Sequence, residues 1–81
     1  MKLYEYKYKY MSKLIDMKYS SKLSGSNQAI VDVLIKNLKR LRKPTVPYMV
    51  TLLNQFLDKD EVDSELRELL LEMVRDIGKI E

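Results

Sequence analysis

Residues 4–10 read YEYKYKY, a tyrosine at every second position with Glu5, Lys7 and Lys9 between. No other stretch restricts the fold as much. A side-chain period of two is that of a β-strand with one aromatic and one charged face. The expected element is a strand over residues 3–10. It carries Tyr4, Tyr6, Tyr8 and Tyr10 on one side and Leu3, Glu5, Lys7 and Lys9 on the other. A lone strand leaves its backbone donors and acceptors unpaired, so another must lie beside it. That partner comes either from a second copy of the chain or from residues 13–19 of the same copy.

Beyond residue 10 the apolar spacing is helical. Met11, Ile15, Tyr19 and Leu23 recur every four residues and, with Leu14, point to a short amphipathic helix from Ser12. SGSN (24–27) reads as a turn, with Ser26 as N-cap of a helix over 27–42. Ile30, Val33, Leu34, Leu38 and Leu41 form that helix's stripe, and Pro44 ends it. Thr45 caps the next helix, which tolerates Pro47 in its first turn and runs to about Leu57, apolar on most sides. DKDE (58–61) turns the chain again. Val62, Leu66, Leu69, Leu70, Met73 and Ile77 then mark a last helix that Gly78 can close. The expected fold is mainly α, one N-terminal strand followed by about four helices in a single domain over 1–81. Residues 3–42 form its basic part and 45–78 an acidic helical hairpin.

Eighty-one residues without a cysteine have no disulfide to supplement a core of marginal size. That adds to the case for a homodimer. The longest apolar runs are only a few residues, too short for a bilayer. No signal-peptide apolar core follows Met1 and Lys2. The expected location is cytoplasmic, with no membrane partner.

The formal charge of +3 hides a strong asymmetry. Residues 1–43 hold 11 Lys and Arg against 3 Asp and Glu, or +8; residues 44–81 hold 4 against 9, or −5. A basic half this marked points to an anionic partner, nucleic acid first, with double-stranded DNA as the expected form, and anionic lipid second. Its candidate contacts are Glu5, Lys7 and Lys9 on the charged strand face, and Ser24, Gly25, Ser26 and Asn27, whose backbone N–H groups open a helix. Lys36, Lys39 and Arg40, continued by Arg42 and Lys43, form a third group at the helix end.

Enzyme chemistry finds little to work with. The chain has no His or Cys, the commonest general bases, nucleophiles and transition-metal ligands, and only two glycines. Counting Asp58 as position 1 of a calcium loop puts Val62 at position 5, Asp63 at 6 and Leu69 at 12. Such a loop needs oxygen, glycine and glutamate there. The expectation is a non-enzymatic protein with no cofactor and no metal.

Strand, short helix, glycine-containing turn, longer helix is also the element order of the ribbon-helix-helix DNA-binding family. LSGSNQAIVDVLIKNL (23–38) is similar to that family's turn and second helix: a glycine, a polar cap, then an apolar i, i+4 ladder. The resemblance covers residues 3–42. It implies a dimer in which two N-terminal strands form an antiparallel ribbon in the major groove, with Lys7 and Lys9 toward guanine edges. The second helix's N-terminus would clamp a phosphate. Tyr4, Tyr6, Tyr8, Tyr10, Ile30, Leu34 and Leu38 would build the dimer core, although the family usually packs aliphatic residues there. The implied function is a dimeric transcriptional regulator, and the acidic hairpin falls outside the resemblance.

Two further readings stand beside it. Helices 27–42, 45–57 and 61–77 can form a three-helix bundle of helix-turn-helix character, with residues 1–22 as a basic arm. Or the chain is a protein-interaction module, an inhibitor or adaptor from a mobile element. In that case the tyrosine strand, its aromatic face turned outward, adds to a sheet edge. Glu65, Glu68, Glu72 and Asp76 of the acidic last helix then engage a basic partner.

Overall fold

The structure, a computed structural model, describes residues 1–20 and 22–81. Four helices follow in order: α1 (Leu3–Ser20), α2 (Gly25–Lys39), α3 (Val46–Leu57) and α4 (Ser64–Ile77), with a 3-10 turn at Lys43–Thr45 before α3. There is no strand among the described residues.

The N-terminal segment is therefore a helix and not the expected strand. The strand over 3–10, the intramolecular strand over 13–19 and the ribbon-helix-helix dimer built on a paired ribbon all fall with it. The physical reason lies in the next turn of sequence. Tyr6, Tyr10 and Leu14 continue at i+4, and all three are fully buried, whereas Tyr4 and Tyr8 are 72% and 82% exposed. At 100° per residue the alternating tyrosines split between two sides of a helix. An 18-residue helix also pairs most of its own backbone, which removes the need for a neighbouring strand. Glu5 adds to this start: its Oε1 accepts from the Lys2 N–H at 2.8 Å, and its charge suits a helix N-terminus.

α1 packs chiefly on α2, and α3 chiefly on α4. Leu14, Val31, Leu34, Leu38, Leu53, Leu66 and Leu70 lie at the centre of one continuous core. The Cα radius of gyration is 11.8 Å, near the roughly 12 Å of a compact chain this long. One copy thus closes its own core, and Ile30, Leu34 and Leu38 are buried without a second chain.

The inner tyrosines fasten α1 to the end of α4. Tyr6 OH donates to the Met73 carbonyl at 2.9 Å. Tyr10 OH lies 2.5 Å from Asp76 Oδ2, to which it donates, and 3.2 Å from the Glu72 carbonyl. Their rings sit 4.8 Å apart, tilted by 54°, an arrangement that adds about 0.5–1.5 kcal/mol beyond area burial. Lys9 Nζ reaches Asp76 at 2.8 Å and Lys13 Nζ reaches Glu72 at 2.7 Å.

Two other side chains fix the connections. Asn27, 1% exposed, donates from Nδ2 to Ser24 Oγ and the Glu61 carbonyl, and its Oδ1 accepts from the Asp63 N–H at 2.9 Å. Arg67 donates to the Leu57 and Lys59 carbonyls at 2.9 and 2.7 Å, covering the carbonyl that the end of α3 leaves open and one in the loop after it. The N-cap of α2 is Ser24, not Ser26; its Oγ accepts from the Asn27 N–H. Gly25 is the first helical residue and has no positive φ.

Candidate nucleic-acid interface

The residues singled out for DNA contact divide between three places. Lys7 and Lys9 do not share an outer face with free ammonium groups. Lys7 Nζ donates to the Lys39 and Leu41 carbonyls at 3.1 and 3.0 Å, and Lys9 is held by Asp76. Burial and the Asp76 hydrogen bond push the Tyr10 hydroxyl pKa well up, and burial, with the nearby Asp76 charge, does the same for Tyr6. Asp76 is held well below the usual carboxylate range by its hydrogen bonds from Lys9 and then Tyr10. Glu72 is lowered mainly by its bond from Lys13. These groups form an internal clamp, not a ligand site.

The second place is the start of α2. Ser24 and Asn27 are spent on the cap and on the loop after α3. Ser26 opens onto a groove that also carries Asp58, Asp60 and Glu61. Exposed carboxylates beside a helix N-terminus oppose an incoming phosphate, so Ser24, Gly25, Ser26 and Asn27 are electrostatically a poor phosphate clamp.

The third place is the other end of α2, about 22 Å away at 1.5 Å per residue. Lys36, Lys39, Arg40, Arg42 and Lys43 are all exposed, and none stands in a salt bridge among the described residues. Lys43 adds a small part to the lowering of Glu81 that Lys2 dominates. Five cations within eight residues arise because α2 ends in the dipole-favoured basic turn and the chain then leaves the core through RKP. Only Leu38 and Leu41 dip back inside.

An exposed ring lies beside this cluster. Tyr48, in the first turn of α3, is 61% exposed. With Asn37, Arg40 and Thr45 it lines a shallow recess of about 160 Å³. The Lys7 bond to the Lys39 carbonyl brings the first half of α1, with exposed Tyr4 and Tyr8, to the same end of the molecule. Tyr48 escaped the reading of the sequence because α3 is apolar on most sides. The available signal was Pro47 before it, which places Tyr48 at the unpacked start of that helix.

Among the described residues, no group of three or more Asp and Glu is placed to hold a metal ion, and no helix is long and apolar enough to cross a membrane. Compared with protein-family models, with curated proteins and with solved structures, the chain matches none of them.

Proposed function

We propose that the protein is a non-enzymatic DNA-binding protein that holds the phosphate backbone at the basic end of α2. The observation that carries this reading is the cluster Lys36, Lys39, Arg40, Arg42 and Lys43, exposed and outside any salt bridge among the described residues, with the exposed ring of Tyr48 beside Arg40 and the exposed rings of Tyr4 and Tyr8 on the helix that Lys7 ties to the same end. The cations neutralise phosphates and release counterions, which favours association without reading sequence. The rings offer flat surfaces on which unpaired bases stack, so melted or single-stranded segments should bind at least as well as duplex.

Fluorescence anisotropy with labelled duplex and single-stranded oligonucleotides over a salt series tests it. Engagement of all five cations gives a slope of log K against log salt of about −4 to −5 on duplex. Replacing Arg40, Arg42 and Lys43 by Ala removes about three-fifths of that slope; replacing exposed Glu68 by Gln leaves it intact. Tyr48→Leu weakens single-strand binding more than duplex binding. Absence of binding at low salt, or an unchanged slope in the triple variant, refutes the proposal.

A further inference from the structure

The opposite end of α2 carries a surface of the reverse sign. Between the start of α2, the end of α3 and the loop after it lies a groove of about 620 Å³. Its floor is apolar: Ala29, Ile30, Val33, Phe56 and Val62. Val33 remains 38% exposed, and Phe56, the only phenylalanine in the chain, is half-buried. The rim is acidic. Asp58, Asp60 and Glu61 are exposed and outside any salt bridge among the described residues, with Lys59 the one cation in the lining.

The loop that carries these carboxylates has a fixed backbone. Asn27 grips it at the Glu61 carbonyl and the Asp63 N–H, and Arg67 grips the Leu57 and Lys59 carbonyls. The rim is therefore held in place while its charges face outward, a preorganised arrangement that lowers the ordering cost of binding.

We propose that this groove docks a cationic amphipathic segment of a partner protein. Its apolar side chains lie on Val33 and Phe56, and its Lys or Arg residues face Asp58, Asp60 and Glu61. Sign and shape together select this occupant. The acidic rim repels nucleic acid and anionic lipid, and the apolar floor rewards an aliphatic or aromatic anchor that a simple cation lacks. The chain's own basic stretch is a poor match, because Leu38 and Leu41, the apolar residues between its cations, are buried. The inference is independent of DNA binding at the other end.

The test uses three synthetic helical probes: a peptide with Leu on one face and Lys on the other, its Glu-for-Lys counterpart, and its Ser-for-Leu counterpart. Amide chemical shifts of the labelled full chain report the site. The Leu/Lys peptide is expected to shift Ile30, Val33, Phe56 and Val62, while neither counterpart does. Replacing Asp58 and Asp60 by Asn together with Glu61 by Gln is expected to weaken it about tenfold or more, and Val33→Glu to block it. Glu68→Gln on α4 is expected to leave it unchanged. Circular dichroism of each variant confirms the helical fold. Four results overturn the proposal: equal affinity in the rim variant, shifts centred on α4, equal binding of the Ser-for-Leu peptide, or a concentration-dependent mass increase of the protein alone that shifts the groove residues. The last would assign the groove to a second copy.

Discussion

Removing one hydroxyl, by Tyr10→Phe, tests the α1–α4 clamp and the helical state of α1 together. Phenylalanine keeps the buried ring and its contact with Tyr6, so no cavity opens. What disappears is the donor 2.5 Å from Asp76 and 3.2 Å from the Glu72 carbonyl. The Asp76 side chain is only 5% exposed, so water cannot replace that donor freely. A hydrogen bond to a charged group contributes about 1.5–3 kcal/mol. At about 4–8 °C of melting temperature per kcal/mol for a domain this small, Tyr10→Phe should melt roughly 6–24 °C lower at neutral pH. The effect depends on pH with a definite sign. Asp76 has its folded pKa below the unfolded value. The stability it contributes is present above the ordinary carboxylate pKa of about 4 and is lost as pH falls toward the folded value. Phenylalanine removes one of the two hydrogen bonds that hold this pKa down. The gap between wild type and variant should therefore be full near neutrality and shrink in acid. Tyr8→Phe, at an 82% exposed ring, should stay within about 0.5 kcal/mol. Thermal and urea unfolding followed by circular dichroism, repeated across the acid range, measures all of this. An extended residue 3–10 segment makes Tyr8 and Tyr10 equivalent. Equal costs for the two variants, or a gap that does not change with pH, would refute the clamp.

Asn27→Ala strands the Glu61 carbonyl and Asp63 N–H that Asn27 serves and should cost about 1–3 kcal/mol in chemical denaturation. Faster hydrogen exchange at the Asp63 amide should accompany it, and unchanged exchange there would count against the loop anchor. Gly25→Ala should stabilise by about 0.4–1 kcal/mol, since an added Cβ meets nothing within 4 Å and φ is not positive. A loss of stability would mean that the glycine serves the backbone in some other way.

Helices α2 to α4 were legible because their Leu, Ile, Val and Met residues recur at helical spacing over at least three turns, long enough to separate a period of 3.6 from a period of 2. Residues 4–10 are too short a window for that separation. Seven residues satisfy both periods, and only Leu14, buried in register with Tyr6 and Tyr10, decides between them. The basic run 36–43 was visible as composition. Its difference from the start of α2 was not, because the carboxylates that spoil a phosphate clamp at Ser26 come from residues 58–61. Lys9 and Asp76 are likewise 67 positions apart. Each reads alone as a solvated charge, and only the packing of α1 against α4 makes them partners. Asn27 has the composition of a cap residue, while its burial and its hold on Asp63 are tertiary facts.

The placement of opposite charges at the two ends of α2 has an electrical consequence. At physiological ionic strength potentials decay over about 8 Å, a third or so of the roughly 22 Å length of a 15-residue helix. Each pole is then largely screened from the other, so the binding proposed at one end is electrostatically close to independent of that proposed at the other. In dilute buffer, where the decay length grows to about 30 Å at 0.01 M, the poles sense each other and the molecule behaves as a permanent dipole. If the proposed polyanion binding holds, such a molecule turns in the polyanion's field with the end that carries Arg40 and Tyr48 leading.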